Sequence, residues 1–178
     1  MKSQAITDKF QEANVEALAV AVFKDEKATS GTLKDFDKMT GGLIASVIKE
    51  EDFKGKKGET VLLRFKGGGG VKAGRLLLVG VGDKKDYKAP NVAELSGAAT
   101  RFLRKRNISN FALLPRCEGD ATEIAQNAMC GVITSQFELD KYKTKDKTDK
   151  AVDNFTLCIE GAKEKDVKNG LKRGEIIG

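Results

Sequence analysis

The sequence predicts an α/β layered domain with a mixed sheet of about six strands flanked by helices, and three observations lead there. Short runs of strand formers recur along the chain, from Gln4–Thr7 to Asn154–Glu160. Segments with helical periodicity separate the later runs, the alternation that covers a sheet with helices. The chain has 178 residues, enough to bury roughly 70% of its unfolded surface around one core without metals or disulfides.

The elements follow in chain order. Gln4–Thr7 and Ala17–Phe23 (ALAVAVF) are the first two strands, and the second is apolar enough to be central. From Leu33 to Ile48 the residues Leu33, Phe36, Leu43, Ile44, Val47 and Ile48 keep helical spacing, and Thr40-Gly41-Gly42 divides them into two helices. Thr60–Phe65 (TVLLRF) and Arg75–Val81 (RLLLVGV) are strands joined by Lys66–Gly74, which holds five glycines. That connection predicts an antiparallel pair linked by a loose hairpin. Pro90-Asn91 opens a helix in which Asn91 serves as cap and the Glu94 carboxylate reaches back to it. Val92, Leu95, Ala99, Phe102 and Leu103 form its buried stripe. Phe111–Leu114 is a short strand, and Asp120 with Glu123 repeats the capping pattern before a helix through Ile124, Ala128, Val132 and Ile133. Lys141–Lys150 reads as an exposed loop and Asn154–Glu160 as a strand. A last helix from about Ala162 carries Val167, Leu171 and Ile177, weakened at Gly170 and Gly174 by about 1 kcal/mol each relative to alanine. The chain stops in or just past that helix, which reads as a boundary inside a longer protein.

Composition removes whole classes of chemistry. No apolar run approaches the ~20 residues that cross a bilayer, and the N-terminus has no secretory pattern, so the expected address is cytoplasmic. Cys117, Cys130 and Cys158 are odd in number and far apart, as free thiols in a reducing compartment would be. Histidine is absent, which excludes His-based triads and His-containing zinc patterns. The net charge of +6 permits polyanion binding without requiring it.

Four local patterns invite a chemical reading. Gly67–Gly70 lacks the helix and the Gly-Lys-Ser/Thr ending of a phosphate loop, and a strand follows it instead. Gly80-Val81-Gly82-Asp83 follows an apolar strand and is the best place on the chain for a small anionic ligand, although the third glycine is missing and the next helix starts late. Arg101, Arg104, Lys105 and Arg106 form the densest basic cluster, at a helix C-terminus where the dipole favours cations in any case. Gly80, Gly82, Asp83, Arg101, Arg104 and Arg106 are therefore the candidate anion or ligand contacts. The lysines of 141–150 are interleaved with Asp140, Asp146 and Asp149 and suit a solvated loop. No set of carboxylates gathers the hard ligands of a two-metal hydrolase, so no catalytic, cofactor-binding or metal-binding residue is assigned.

Several segments, taken in order, resemble a known family. They are Gly41-Gly42-Leu43 opening a helix, Phe53–Glu59 (FKGKKGE) leading into a strand, Arg75–Gly82 (RLLLVGVG), the helix with Ala98-Ala99 and Arg101, Phe137–Lys143 (FELDKYK), and the closing helix ending in Gly174-Glu175. Together they resemble the N-terminal domain of the leucyl aminopeptidase family, over almost the whole chain. The resemblance implies a macro-domain-like fold over residues 1–161, with 162–178 a helix leading toward a catalytic domain. It also implies a homohexamer that removes N-terminal residues, leucine preferred, from peptides, using two divalent metals, zinc or manganese, bound in the C-terminal half. The metal and catalytic motifs of that half have no counterpart here. The chain alone is then expected to be inactive, serving packing, oligomer contacts and access to the active sites. A nucleic-acid-binding module and an ADP-ribose-type ligand-binding module remain as alternatives.

Overall fold

The fold is taken from a computed structural model, which describes residues 1–29, 31–50, 52–66, 72–137 and 151–178. Gly67–Gly70 and the lysine-rich run 141–150 lie outside the described residues, as does all of the stretch 137–143 beyond Phe137. The strands are β1 (Lys2–Ile6), β2 (Ala17–Phe23), β3 (Thr60–Arg64), β4 (Arg75–Gly82), β5 (Asn110–Leu114) and β6 (Asn154–Cys158). The helices are α1 (Gly31–Met39), α2 (Leu43–Lys49), α3 (Asn91–Arg104), α4 (Ala121–Gln136) and α5 (Glu164–Ile177).

The six strands form one mixed sheet in the order β1-β6-β5-β2-β4-β3. β3 is antiparallel to β4, and every other neighbouring pair is parallel. β2 is internal and all seven of its residues are buried, which is why its sequence is apolar without alternation. Its odd and even residues feed different cores. Ala17, Ala19 and Ala21 join Leu77, Val79, Phe111 and Phe155 under α3, α4 and α5. Leu18, Val20 and Val22 join Leu76, Leu78 and Leu114 under α1, α2 and the Phe10 turn. The result is three layers, with helices on both faces of the sheet.

The break between α1 and α2 falls at Thr40-Gly41-Gly42, as the glycines predict. Gly41 and Gly42 both adopt left-handed φ, +68° and +87°, and the Asp37 carboxylate accepts from the Ala45 N–H at 2.8 Å to cap α2. Asp120 likewise accepts from the Thr122 N–H at the start of α4. The start of α3 departs from expectation. The Asn91 side chain turns back to accept from the Lys88 N–H at 2.8 Å, and Glu94 pairs with Lys57 at 2.6 Å instead of closing a capping box. Phe102 is only partly buried and Ile177 is 65% exposed, so neither belongs to the buried stripe the spacing assigns it to. Gly170 and Gly174 serve close packing: a Cβ at 170 would lie 2.3 Å from Thr122 O, and one at 174 would lie 2.5 Å from Met129 Cβ. α5 can approach α4 this closely only because those side chains are missing.

Candidate functional site

Parallel strands β5 and β6 end side by side at Leu114 and Cys158, and neighbouring β2 runs three residues past Val20, the partner of Leu114, to end at Phe23. The chain leaves β2 through α1 and α2 for β3 and β4 on one side and returns through α3 to β5 on the other. The edge beyond Phe23 and Leu114 is therefore a topological switch point, where open α/β sheets commonly bind ligands.

A cavity of about 320 Å³ opens there, lined by Phe23, Lys84, Arg116, Glu118, Cys158 and Glu160 among others. Its chief polar feature is an ion pair made within the protein. Arg116 Nη1 donates to Glu26 Oε2 at 2.9 Å and to Ala21 O at 2.9 Å, while Nη2 donates to Glu26 Oε1 at 2.5 Å. Glu26 Oε2 also accepts from the Phe23 N–H at 3.0 Å, and the guanidinium lies over the Phe23 ring, 5.1 Å from its centroid. Both side chains are largely buried, with 14% and 16% of their surface exposed. Arg116 holds this geometry with a left-handed φ of +49°. A bidentate, desolvated pair of this kind fixes the loops after β2 and β5 to each other. Lys84 is paired in turn with Glu118 at 3.7 Å. With Arg116 and Lys84 both matched by carboxylates, the edge offers little unbalanced positive charge to an anion.

Burial raises both thiols of this region. Cys158 is 3% exposed, and burial, reinforced by the Glu160 charge, pushes its thiol up to about 12. Burial also raises Cys117, which sits in the loop after β5 and not in a regular element. All three cysteines are free. Neighbouring Tyr87 donates from its hydroxyl to Pro115 O at 2.8 Å, and burial holds that phenol far above its ordinary range.

A second cavity, of about 290 Å³, lies between the 57–58 turn, β4 and α3, and both Gly80 and Arg101 border it. These are the two candidate contacts that the structure brings to one place. The Gly80 N–H already donates to Glu59 O at 2.8 Å and the Gly82 N–H to Gly55 O at 3.0 Å, so neither is left to cradle an anion. Asp83 is exposed and precedes a short turn at Lys84–Asp86. Arg104 points inward: it is 9% exposed and donates to Ser135 O at 3.1 Å near the end of α4. Arg106 folds over the Phe102 ring, 3.5 Å from its centroid, and donates to Phe102 O. The basic cluster is thus divided between the interior, the helix end and the surface. Sequence reasoning missed the Glu26–Arg116 pair, because ninety positions separate the partners. The one local sign was a charged residue two positions past the buried end of β5, after Pro115.

A family model described as "Cytosol aminopeptidase family, N-terminal domain" matches residues 19–146. The chain is 27% identical over 179 residues to a probable cytosol aminopeptidase of Alkaliphilus oremlandii, covering 98% of this chain and 36% of that protein. It is 30% identical over 158 residues to a probable cytosol aminopeptidase of Geobacter sp. (strain M21), covering 88% of this chain and 31% of the relative. A solved structure of a tomato leucine aminopeptidase mutant shares the fold, with a TM-score of 0.76 and 23% identity, over 98% of this chain and 35% of that one. The chain spans about a third of the length of the relatives it matches.

Proposed function

The chain belongs to the cytosol aminopeptidase family, as its N-terminal domain, and from that premise we propose that it is the non-catalytic part of a metal-dependent leucyl aminopeptidase. In this reading the whole protein removes N-terminal residues, leucine preferentially, from peptides in the cytoplasm and assembles as a hexamer. Residues 162–178 lead toward the catalytic region, and the domain serves packing, oligomer contacts and active-site access. The observation that carries the reading is the family match to an N-terminal domain across residues 19–146.

Two divalent ions, zinc or manganese, belong to the region beyond this domain, where such ions activate water and polarise a carbonyl. The residues present here do not fit them. Histidine is absent from the sequence, and among the described residues no group of three or more His, Cys, Asp or Glu could hold a metal. No step of hydrolysis is therefore routed through this chain. The alternatives, an anionic ligand or a nucleic acid, draw less support. Arg104 and Arg106 are engaged inside the protein, and the one aromatic beside them, Phe102, already carries a guanidinium.

The test is hydrolysis of leucine p-nitroanilide with added manganese or zinc. Three proteins are compared: this chain, the part of the Alkaliphilus oremlandii relative that follows the matched region, and the two joined at Gly178. The chain alone is expected to be inactive, and the joined protein to exceed the sum of the separate parts. Hydrolysis by the chain alone, or no gain on joining, would overturn the reading.

A further inference from the structure

Among the described residues five large apolar side chains are exposed: Met1, Leu43, Phe137, Ile176 and Ile177. All but Leu43 lie at one end of the molecule, where the start of β1 meets the last turns of α4 and α5. Direct contacts tie these three termini together. Gln136 Nε2 lies 3.2 Å from Met1 Sδ, and Ser3 Oγ donates to Glu175 at 2.7 Å. A Cβ at Gly178 would lie 3.1 Å from Ile133 Cβ, so the end of α5 rests on α4. A hollow of about 420 Å³ opens between them, lined by Met1, Met129, Ile133, Gln136, Phe137 and Glu175. Phe137 in that lining is 85% exposed, and so is Ile176, the residue after the lining Glu175.

Scattered exposed apolar residues need no explanation, but a cluster around a hollow marks a surface built to be covered. We propose that this end, carried by Phe137, Ile133, Ile176 and Ile177, is the docking face for the catalytic region of the aminopeptidase chain. The inference rests on the functional reading above and adds the surface through which it operates. Three observations select that occupant. The match to the Alkaliphilus oremlandii protein takes in 98% of this chain and 36% of that one, so α5 lies within the shared part and most of the relative's chain lies outside it. Ile176 and Ile177 belong to the final turn of α5, so a polypeptide continuing from α5 leaves from within the patch and can cover it without a long linker. The lining of the hollow is apolar apart from one amide and one carboxylate, the character of a permanent interface and not of a transient one.

The experiment compares wild type with a Phe137→Asp/Ile176→Asp double variant, both as the chain alone and joined at Gly178 to the following region of the Alkaliphilus oremlandii relative. In the chain alone the substitutions should leave the melting temperature within about 2 °C, because neither side chain is in the core. In the joined protein they should lower it by about 5 °C or more, or split one unfolding transition into two. Equal melting of the two joined proteins would overturn the proposal, and so would a large loss in the chain alone. Sedimentation of the chain alone as a dimer that the substitutions dissolve would overturn it as well, by assigning the face to a second copy. Peptidase activity is read separately. A joined wild-type protein that is inactive yet loses stability on substitution would sink the functional reading and keep the docking face. An active one indifferent to the substitutions would do the reverse.

Discussion

Gly80 separates two reasons for a glycine that a sequence cannot tell apart. A Gly-x-Gly after an apolar strand reads equally as a ligand-cradling turn or as a close backbone approach, and the structure shows the second. A Cβ at position 80 would stand 2.0 Å from Lys56 O and 2.7 Å from the Gly55 carbonyl carbon. Those atoms belong to backbone pinned by the Gly58 N–H donating to Gly80 O and the Gly82 N–H donating to Gly55 O, so they cannot move aside. Gly80→Ala should therefore cost about 3 kcal/mol, the upper range for forcing a group into filled space. Gly58 has a left-handed φ of +85° but open space around it, so Gly58→Ala should cost only about 1–2 kcal/mol of backbone strain. Urea denaturation of both variants measures the difference, and equal losses would mean that the backbone at 55–56 yields to a Cβ at position 80.

At the scale of elements, strands were legible and helix interfaces were not. β2 falls at Ala17–Phe23, where the apolar run placed it, because a strand buried on both faces states its burial in composition alone. The α1–α2 break was legible for a similar reason, since left-handed glycines punctuate locally. What joins helices is not local. Gly170 and Gly174 look like defects in α5, and propensity predicts that alanine at either would add about 1 kcal/mol. Their positions against Thr122 O, Gln126 O and Met129 Cβ reverse the sign. Gly131 is held in the same way against α3, where a Cβ would lie 2.1 Å from Ala93 O. Gly170→Ala and Gly174→Ala should each lower stability by about 2 kcal/mol, with thermal unfolding as the measure. A rise in melting temperature for either would return the helix–helix contact to ordinary spacing and the glycine to a weak point. The ligand candidates failed to converge for the same reason: Arg101, Arg104 and Arg106 are close in sequence, yet their side chains are sent to a cavity rim, an interior carbonyl and an aromatic face.

On the scale of the whole molecule, one sheet shared by two cores makes the layers depend on each other. Cys158 belongs to the core under α1 and α2, and Tyr87 to the core under α3, α4 and α5. Each is protonated and neutral when buried, and burial raises both. A group whose folded pKa lies above its unfolded value contributes stability that is complete below the unfolded pKa and is lost as pH rises through the folded one. For Cys158 that window runs from its ordinary value of 9.0 to about 12, and Tyr87 begins to add its own loss above its unperturbed value of 10.0. Stability should thus hold level toward pH 9 and then fall. Each such group contributes about 1.4 kcal/mol per pH unit, and the fall should appear as one cooperative transition because both faces of the sheet are affected together. Cys158→Ala should be somewhat less stable than wild type at pH 7, through lost packing, but should show a shallower slope between pH 9 and 10, before the phenol adds its own contribution. Calorimetric scans across pH 7–11 decide it. Parallel slopes for the two proteins would mean that the thiol titrates alike in the folded and unfolded chain, which a side chain only 3% exposed cannot do unless its surroundings open on their own.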